Sequence, residues 1–303
     1  MRTQKIIPHL WFNNEVKEAT NFYVNIFPDS KIENIVTLHN TPSGDSEIVT
    51  FKLLDYSFMA INGGPYYKFT PAISFVVVFE EKDKNAKIEI KRIWDELISG
   101  GIARMPLQEY DFSKLYGWVE DKYGVNWQLM LVDGLNEEDK RIIPHLLFTE
   151  DVAGRAEEAT NFYISNFKNS KRESIYKYPS GMEPDKEGTV MFTDFYLEGI
   201  CFAAADSARE HNYTFTPAIS LIINCESQAE IDYYWDKLSY VKEAETCGWL
   251  VDKYGVSWQV NPALMDEMFS KATKDELARI TKAFLPMKKI EIEKIVAAYK
   301  GNK

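Results

Sequence analysis

The sequence has 303 residues, of which 45% are hydrophobic and 27% charged, a composition typical of a globular protein of about two domains. Asp and Glu number 46 against 35 Lys and Arg, so the formal net charge is −11. This charge disfavours binding to the phosphates of nucleic acids and to anionic membrane surfaces, and neither is an expected partner.

The first quarter of the sequence predicts one strand, one helix and three further strands. Ile6–Phe12 is an apolar run of strand length. Residues 15–27 carry apolar side chains at helical spacing, and Asn13 and Asn14 before them are good N-cap residues. Strand-like runs follow, with turn residues between them, at 31–38, 47–54 and 57–61.

The second quarter repeats this order of elements. A strand is predicted at 72–79 and a helix at 86–99, which ends at two glycines. Shorter strands follow, the last two at 115–120 and 125–132. Each of these two units is therefore predicted to be one β-α-β-β-β module.

The second half of the sequence is a copy of the first. Matching blocks occur in the same order at 6–12 and 142–148, 18–31 and 158–171, 69–74 and 215–220, 94–97 and 235–238, and 117–129 and 248–260. A repeat of this length is a duplicated domain rather than a solenoid unit. The predicted fold class is α+β, with four βαβββ modules that form two domains.

The predicted boundaries place the first domain at 1–135, the second at 136–262 and a helical tail at 263–303. The short acidic segment 133–139 is the predicted linker. Helices are predicted in the tail at 263–270, 274–284 and 288–299. Because the tail is basic and the rest of the chain acidic, it is expected to pack on an acidic surface of its own or a sister chain; a solvated helix face is the alternative.

Three features of the sequence favour the cytoplasm. The longest apolar stretch, 72–79, is much shorter than the roughly 20 residues of a membrane span. The N-terminal residues lack the apolar segment of a signal peptide. Cys201, Cys225 and Cys247 are few, odd in number and without C-x-x-C spacing, which argues against a disulfide framework.

The repeated blocks resemble one branch of a known superfamily. They read PHLWF, NFY followed by FPDSK, NGGPYYKFTPAISF, IWDEL and GWVEDKYGVNWQL. These are similar to the PhnB-like proteins, often named 3-demethylubiquinone-9 3-methyltransferases, of the vicinal oxygen chelate superfamily of glyoxalases, bleomycin-resistance proteins and extradiol dioxygenases. The resemblance implies two tandem glyoxalase/bleomycin-resistance-like domains with a C-terminal helical extension, in which paired modules curl their strands into a cup.

The resemblance also implies where a metal would bind, and there this sequence departs from the superfamily. Its enzymes hold a divalent metal with a His in a module's first strand and a Glu in its last strand. The Glu position falls on Gln128 and, in the second copy, on Gln259. A neutral amide is a poor substitute for a carboxylate ligand. No metal and no other cofactor is therefore expected.

The histidine position of the superfamily falls on Ile7 and Ile143. His9 and His145 lie two residues further along, on the same face of the strand, because side chains alternate with a period of two. They are candidates for hydrogen bonding to a ligand; the alternative is a histidine held in the core or at an interface.

Aromatic residues complete the predicted ligand-binding set. Trp11, Trp118 and Trp249 are expected to wall the cups, and Tyr66 and Tyr67, present in the first copy only, to lie over a mouth. Aromatic walls suit flat or apolar ligands, although plain core packing explains such rings equally well. The full predicted set comprises His9, Trp11, Tyr66, Tyr67, Trp118, Gln128, His145, Trp249 and Gln259.

The favoured function is binding of a small molecule in a metal-free aromatic cup. Two alternatives remain. The first is an enzyme, either a metal-dependent lyase, isomerase or dioxygenase with a weak site around His9 and Gln128 or one that acts by acid–base chemistry through His9. The second is a structural module with filled cups. The sequence contains no G-x-G-x-x-G loop, which disfavours a literal methyltransferase. The two copies are expected to form a pseudo-dimer within one chain, and a homodimer remains open.

Overall fold

A computed structural model describes residues 4–135 and 141–301. Most of the predicted linker, 133–139, lies outside these ranges. The first module comprises β1 Ile6–Phe12, α1 Val16–Ile26, β2 Lys31–Thr41, β3 Gly44–Leu53 and β4 Tyr56–Asn62. The second comprises β5 Ile73–Glu80, α2 Ala86–Ile98, β6 Ile102–Tyr110, β7 Ser113–Glu120 and β8 Asn126–Val132.

The second copy follows the same plan. Its first module comprises β9 Ile142–Phe148, α3 Ala156–Asn166, β10 Lys171–Lys177, β11 Val190–Leu197 and β12 Ile200–Asp206. Its second comprises β13 Ile219–Cys225, α4 Gln228–Leu238, β14 Trp249–Val251 and β15 Ser257–Pro262. The tail forms α5 Leu264–Lys271, α6 Lys274–Phe284 and α7 Ile292–Lys300. The predicted α+β class and modular order are thus confirmed. None of the helices within the described ranges is both long and apolar enough to span a membrane.

The fourth module is one strand shorter than the other three. In the first copy 23 residues separate Trp94 from Gly117, but only 13 separate Trp235 from Gly248. The ten missing residues correspond to β6, and a short 3₁₀ helix at Lys242–Ala244 occupies the connection. One sheet of the protein therefore has seven strands and the other eight.

Each sheet is built from both copies of the repeat. The seven-stranded sheet has the order β14-β15-β13-β1-β4-β3-β2, and the eight-stranded sheet β10-β11-β12-β9-β5-β8-β7-β6. Antiparallel pairing of β1 with β13 joins the first module to the fourth, and pairing of β5 with β9 joins the second to the third. The two copies thus interlock as the predicted pseudo-dimer.

Strand alternation divides each sheet into a helix-covered face and a concave face. Along β1, Ile6, Leu10 and Phe12 belong to the core beneath the helices. His9 and Trp11 therefore point to the opposite, concave face. The concave face of each sheet is the cup that the resemblance implies.

A buried carboxylate ties the two modules of each copy together. Asp121, in the turn before β8, accepts hydrogen bonds from the Tyr23 hydroxyl at 2.8 Å and the Trp127 indole N–H at 2.9 Å. The backbone N–H groups of Tyr123 and Val125 donate to its other oxygen. Burial raises the pKa of Asp121 to about 6, against the effect of these four donors. The repeated D-K-Y-G-V-x-W-Q sequence therefore has a structural role.

The second copy contains the same arrangement. Asp252 accepts hydrogen bonds from the Tyr163 hydroxyl at 2.7 Å and the Trp258 indole at 2.9 Å. Tyr23 lies on α1 and Tyr163 on α3. Each tyrosine–aspartate hydrogen bond therefore joins the helix of a copy's first module to a turn in its second module.

The tail packs on the concave face of β2 and β3, mainly through apolar contacts. This tail cluster consists of Leu38, Met265, Leu277, Ile280, Phe284, Ile290 and Ile295. Two ion pairs accompany it, Lys288 with Glu245 at 3.3 Å and Lys289 with Asp232 at 2.6 Å. The tail therefore binds its own chain, as expected, but hydrophobic burial rather than charge dominates the contact.

The tail also occupies the edge that the shortened fourth module leaves open. The backbone N–H of Cys247 donates to Met287 O and that of Gly248 to Lys288 O, both at 2.7 Å. These bonds flank the start of β14, where the first copy has its extra strand. The tail therefore satisfies backbone hydrogen bonds at this sheet edge and also covers the concave face of the sheet.

Candidate functional site

Three polar residues form a row across the concave face of the seven-stranded sheet. His9 on β1 lies directly opposite Ser220 on β13. The Gln259 side chain on β15 donates from Nε2 to Ser220 Oγ at 3.0 Å. We call this arrangement a His–Ser–Gln row.

The eight-stranded sheet contains an equivalent row. His145 on β9 lies opposite Ser74 on β5, and Gln128 Nε2 on β8 donates to Ser74 Oγ at 2.8 Å. The buried Tyr116 hydroxyl donates to Gln128 Oε1 at 2.7 Å. Each predicted glutamine thus donates to a serine that lies opposite a predicted histidine on the neighbouring strand.

The structure corrects which histidine belongs with which glutamine. The predicted metal alternative joined His9 with Gln128, but these residues lie in different sheets. His9 shares its sheet with Gln259, and His145 with Gln128, so each row combines the two copies. The physical reason is that β1 pairs with β13 and β5 with β9, which crosses the modules between copies.

The two histidines are buried and lack a partner on one ring nitrogen. His9 is 3% exposed and His145 is 6% exposed, and Nδ1 of each has no hydrogen bond within the described residues. Burial lowers the pKa of His9 to about 3 and that of His145 to about 4. Both rings are therefore neutral at physiological pH, with one N–H and one lone pair each. An unpaired polar atom at such depth is costly without a ligand.

Three of the five predicted aromatic residues gather around His9. The Trp249 ring lies 5.4 Å from the His9 ring, Trp11 lies 5.9 Å from Trp249, and Tyr67 lies 5.1 Å from Trp11, all edge to face. Trp11 Nε1 also donates to the backbone oxygen of Gly64 at 2.9 Å. These rings contact one another and present no parallel slot between them.

Gly63 is required for this arrangement. A Cβ at this position would lie 2.1 Å from the Trp11 ring. The segment N-G-G-P-Y-Y occurs in the first copy only. Its backbone contacts the Trp11 ring, which explains why the two copies differ here. Tyr66 is 65% exposed and is not among the rings that contact one another around His9, so the structure separates it from the rest of the set.

The row in the eight-stranded sheet has smaller neighbours. Ala203 lies opposite His145 where Met59 lies opposite His9. Leu147 stands at the repeat position of Trp11. Trp118 lies opposite Gln128, where its indole N–H donates to Asn126 Oδ1 at 3.1 Å. Trp118 and Gln128 thus share one concave face with His145.

The residues of both rows do not fit a divalent metal. Within residues 4–135 and 141–301, no three His, Cys, Asp or Glu side chains come together in a way that would hold one. A metal site needs at least three well-placed N, O or S ligands with the right charge. In the eight-stranded sheet the Gln128 oxygen already accepts the Tyr116 hydroxyl, and a neutral amide oxygen beside one histidine falls short of three ligands.

A cavity of about 220 Å³ lies under α5, on the concave side of the seven-stranded sheet. At ~30 Å³ per water molecule it has room for roughly seven. Its lining consists of Glu33, Asn34, Val36, Ile48, Thr50, Met59, Asp266, Phe269 and Ser270. Neither His9 nor Gln259 lines it, so the cavity is separate from the row.

Sequence reasoning missed Ser74, Ser220 and Tyr116. Both serines end the repeated FTPAIS block, which is identical in the two copies. An invariant serine in an otherwise apolar strand was a usable signal, because a buried hydroxyl requires a partner. Tyr116 had no such signal, since its repeat position is occupied by Cys247.

Comparison with known proteins agrees with the fold. A PhnB protein from Bacillus cereus, described as a 3-demethylubiquinone-9 3-methyltransferase, is 38% identical over 43% of this chain and 100% of its own, with a TM-score of 0.39. Protein PA1353 from Pseudomonas aeruginosa is 21% identical over 44% of this chain and 100% of its own, with a TM-score of 0.36. Glyoxalase I from Zea mays shares the fold, at 9% identity over 88% of this chain and 98% of its own and a TM-score of 0.54. No curated protein matches the chain.

The family model described as 3-demethylubiquinone-9 3-methyltransferase matches residues 4–130 and again 140–261. These two matches together span most of the chain and coincide with the two copies of the repeat. The fold, the repeated blocks and this double match agree: the chain belongs to the PhnB-like family of that description, within the vicinal oxygen chelate fold, and carries its domain twice.

Proposed function

We propose that this protein binds a small uncharged molecule on the concave face of the eight-stranded sheet, without a metal ion. The observation that carries the proposal is the His145–Ser74–Gln128 row, in which His145 Nδ1 is buried and unpaired. A ligand group that pairs with this nitrogen offsets the cost of its burial. Trp118, on the same face, supplies an apolar wall.

The proposal assigns the other row a packing role. Around His9, the rings of Trp11, Tyr67 and Trp249 pack edge to face against one another. The tail covers the outer strands of the same sheet. This corresponds to the filled-cup alternative, restricted to one of the two cups. Of the predicted set, His145, Gln128 and Trp118 are thus the proposed ligand contacts.

Native mass spectrometry of freshly purified protein, combined with elemental analysis, tests the proposal. We expect a co-purified organic molecule and less than about 0.1 equivalent of Zn, Ni, Fe or Mn per chain. His145→Leu should reduce retention of any co-purified molecule, whereas His9→Leu should not. One equivalent of a metal that His145→Leu removes would overturn the proposal and support the metal-dependent enzyme.

A further inference from the structure

We infer that the eight-stranded sheet recognises its ligand through a neutral carbonyl oxygen, and that Tyr116 is the positioning residue that sets this preference. The inference rests on the proposed function and names the ligand class for the same site. It follows from the number and direction of the hydrogen-bond donors in the row.

Tyr116 determines which end of the Gln128 amide is available. The Tyr116 hydroxyl donates to Gln128 Oε1 at 2.7 Å, and Gln128 Nε2 donates to Ser74 Oγ at 2.8 Å. Tyr116 is 5% exposed and Gln128 6%, so both bonds are shielded from water. A glutamine amide has one oxygen and two N–H groups. These two bonds fix the orientation of the amide, with its oxygen towards Tyr116 and Nε2 towards Ser74, and the second N–H of Nε2 remains for a ligand.

Ser74 adds a further donor, and the neutral His145 ring brings one N–H and one lone pair. Within the described residues, Ser74 Oγ makes one hydrogen bond, in which it accepts, so its own hydrogen remains available. His145 lies directly opposite it and is neutral, with Nδ1 unpaired. Neighbouring strands are about 4.8 Å apart, so His145 on β9 and Gln128 on β8 flank the Ser74 hydroxyl on the intervening strand β5.

A carbonyl oxygen is the chemical match for these donors. It is uncharged, accepts two hydrogen bonds or more and has no proton that would oppose a donor. A carboxylate is disfavoured because Asp194 faces the same concave side, opposite Ala203 and thus two strands from His145. An amine is disfavoured because its N–H groups would face the Ser74 hydroxyl and the Gln128 N–H, which are donors as well.

The other row lacks the feature that orients the amide. The repeat position of Tyr116 is Cys247, whose thiol donates to Leu285 O in the tail at 3.0 Å. Among the residues described, Gln259 Oε1 receives one hydrogen bond, from the Asn261 amide at 3.4 Å. The row in the seven-stranded sheet therefore serves as an internal control, and Ser220 is the control position for Ser74.

The test uses the full chain and three probes that share one ring: acetophenone, 1-phenylethanol and benzoate. Binding is followed by saturation-transfer NMR and by tryptophan fluorescence. We expect acetophenone to bind most tightly. Ser74→Ala and Tyr116→Phe should each weaken it about tenfold, the effect of one lost hydrogen bond of about 1.4 kcal/mol. Ser220→Ala should change it less than about twofold.

Two further measurements separate positioning from a general structural effect. Tyr116→Phe should abolish the preference for the ketone over the alcohol while leaving the weak benzoate signal unchanged, and urea unfolding identifies any variant that is merely destabilised. His145→Asn, which keeps an N–H near the Nδ1 position, should retain binding within about threefold, whereas His145→Leu should not.

The outcomes are distinguishable. Equal binding of benzoate or the alcohol overturns the inference, as does an equal loss in Ser74→Ala and Ser220→Ala. If no probe binds at millimolar concentration while His145→Leu still releases a co-purified molecule, the carbonyl inference fails and the proposed function stands. If no probe binds and no molecule is held, both fail.

Discussion

The unpaired histidines make the stability of the protein depend on pH. In the unfolded chain a histidine takes up a proton near pH 6.5, but burial lowers the pKa of His9 to about 3 and that of His145 to about 4 in the folded state. Between these values only the unfolded chain binds the protons. Stability is therefore complete above about pH 6.5 and is lost as the pH falls towards 4.

We predict that the double variant His9→Asn, His145→Asn loses less stability than the wild type between pH 7 and pH 4.5. The difference should reach roughly 3 kcal/mol per histidine at most. Urea unfolding at both pH values measures it. Asp121, with a pKa raised to about 6, acts in the opposite direction but equally in both proteins. Parallel pH profiles for the two proteins would contradict the prediction.

The buried carboxylates predict a large effect of a single truncation. Asp121→Ala leaves the Tyr23 hydroxyl and the Trp127 N–H buried without an acceptor, so it should cost about 3 kcal/mol or more. Tyr23→Phe removes one donor only and should cost about 1 kcal/mol. Chemical denaturation of both variants, with Asp252→Ala as the equivalent in the second copy, checks this. A cost for Asp121→Ala no greater than for Tyr23→Phe would show that the carboxylate is not the hub.

At the scale of elements, local sequence predicts the helices of the tail well but does not predict where they pack. The helix predicted at 274–284 has those bounds, and its Thr273–Glu276 capping box explains its start. The tail helices pack on Val36, Leu38 and Ile48. Pairing of β2 with β3 places these side chains on the concave face, and both strands lie more than 200 residues before the tail.

We predict that Ile290→Ala loosens the tail without opening the sheets. Ile290 is fully buried in the tail cluster, and its truncation should cost about 2–4 kcal/mol of tail docking. Hydrogen exchange should then quicken in 264–300 and stay slow in β1 and β13. Ile88→Ala, at a position 69% exposed, is the matched control. Equal loss of protection in the sheets would mean that the tail is part of their cooperative unit.

At the scale of the whole molecule, the two copies are held together by continuous sheets. β1 pairs with β13 through five residues on each strand, and β5 pairs with β9 in the same way. Both faces of these strands are also buried. The linker is therefore not what keeps the copies together.

We predict that cutting the chain between its copies leaves the molecule assembled. A protease site inserted after Leu135 should be cleaved without change in elution volume on size exclusion, because both sheets still cross the cut. The uncut insertion variant is the control. Separation of the two fragments without denaturant would show that the copies behave as independent domains.

The sequence by itself determined the repeat, the type and order of nearly every element, and the strand face of His9 and His145. These properties depend on short-range periodicity: apolar residues at helical spacing define α1, and alternation places His9 and His145 on the concave faces. The shortened fourth module was also present as a ten-residue difference between matching blocks.

Only the tertiary structure decided which residues meet. His9 faces Ser220 across 211 positions of sequence, and His145 faces Ser74 across 71, because β1 and β5 each pair with a strand of the other copy. Both copies present near-identical strands, so local pattern does not distinguish pairing within a copy from pairing between copies. The pairing joins strands far apart in sequence at the centre of each sheet, and that is a property of the whole chain.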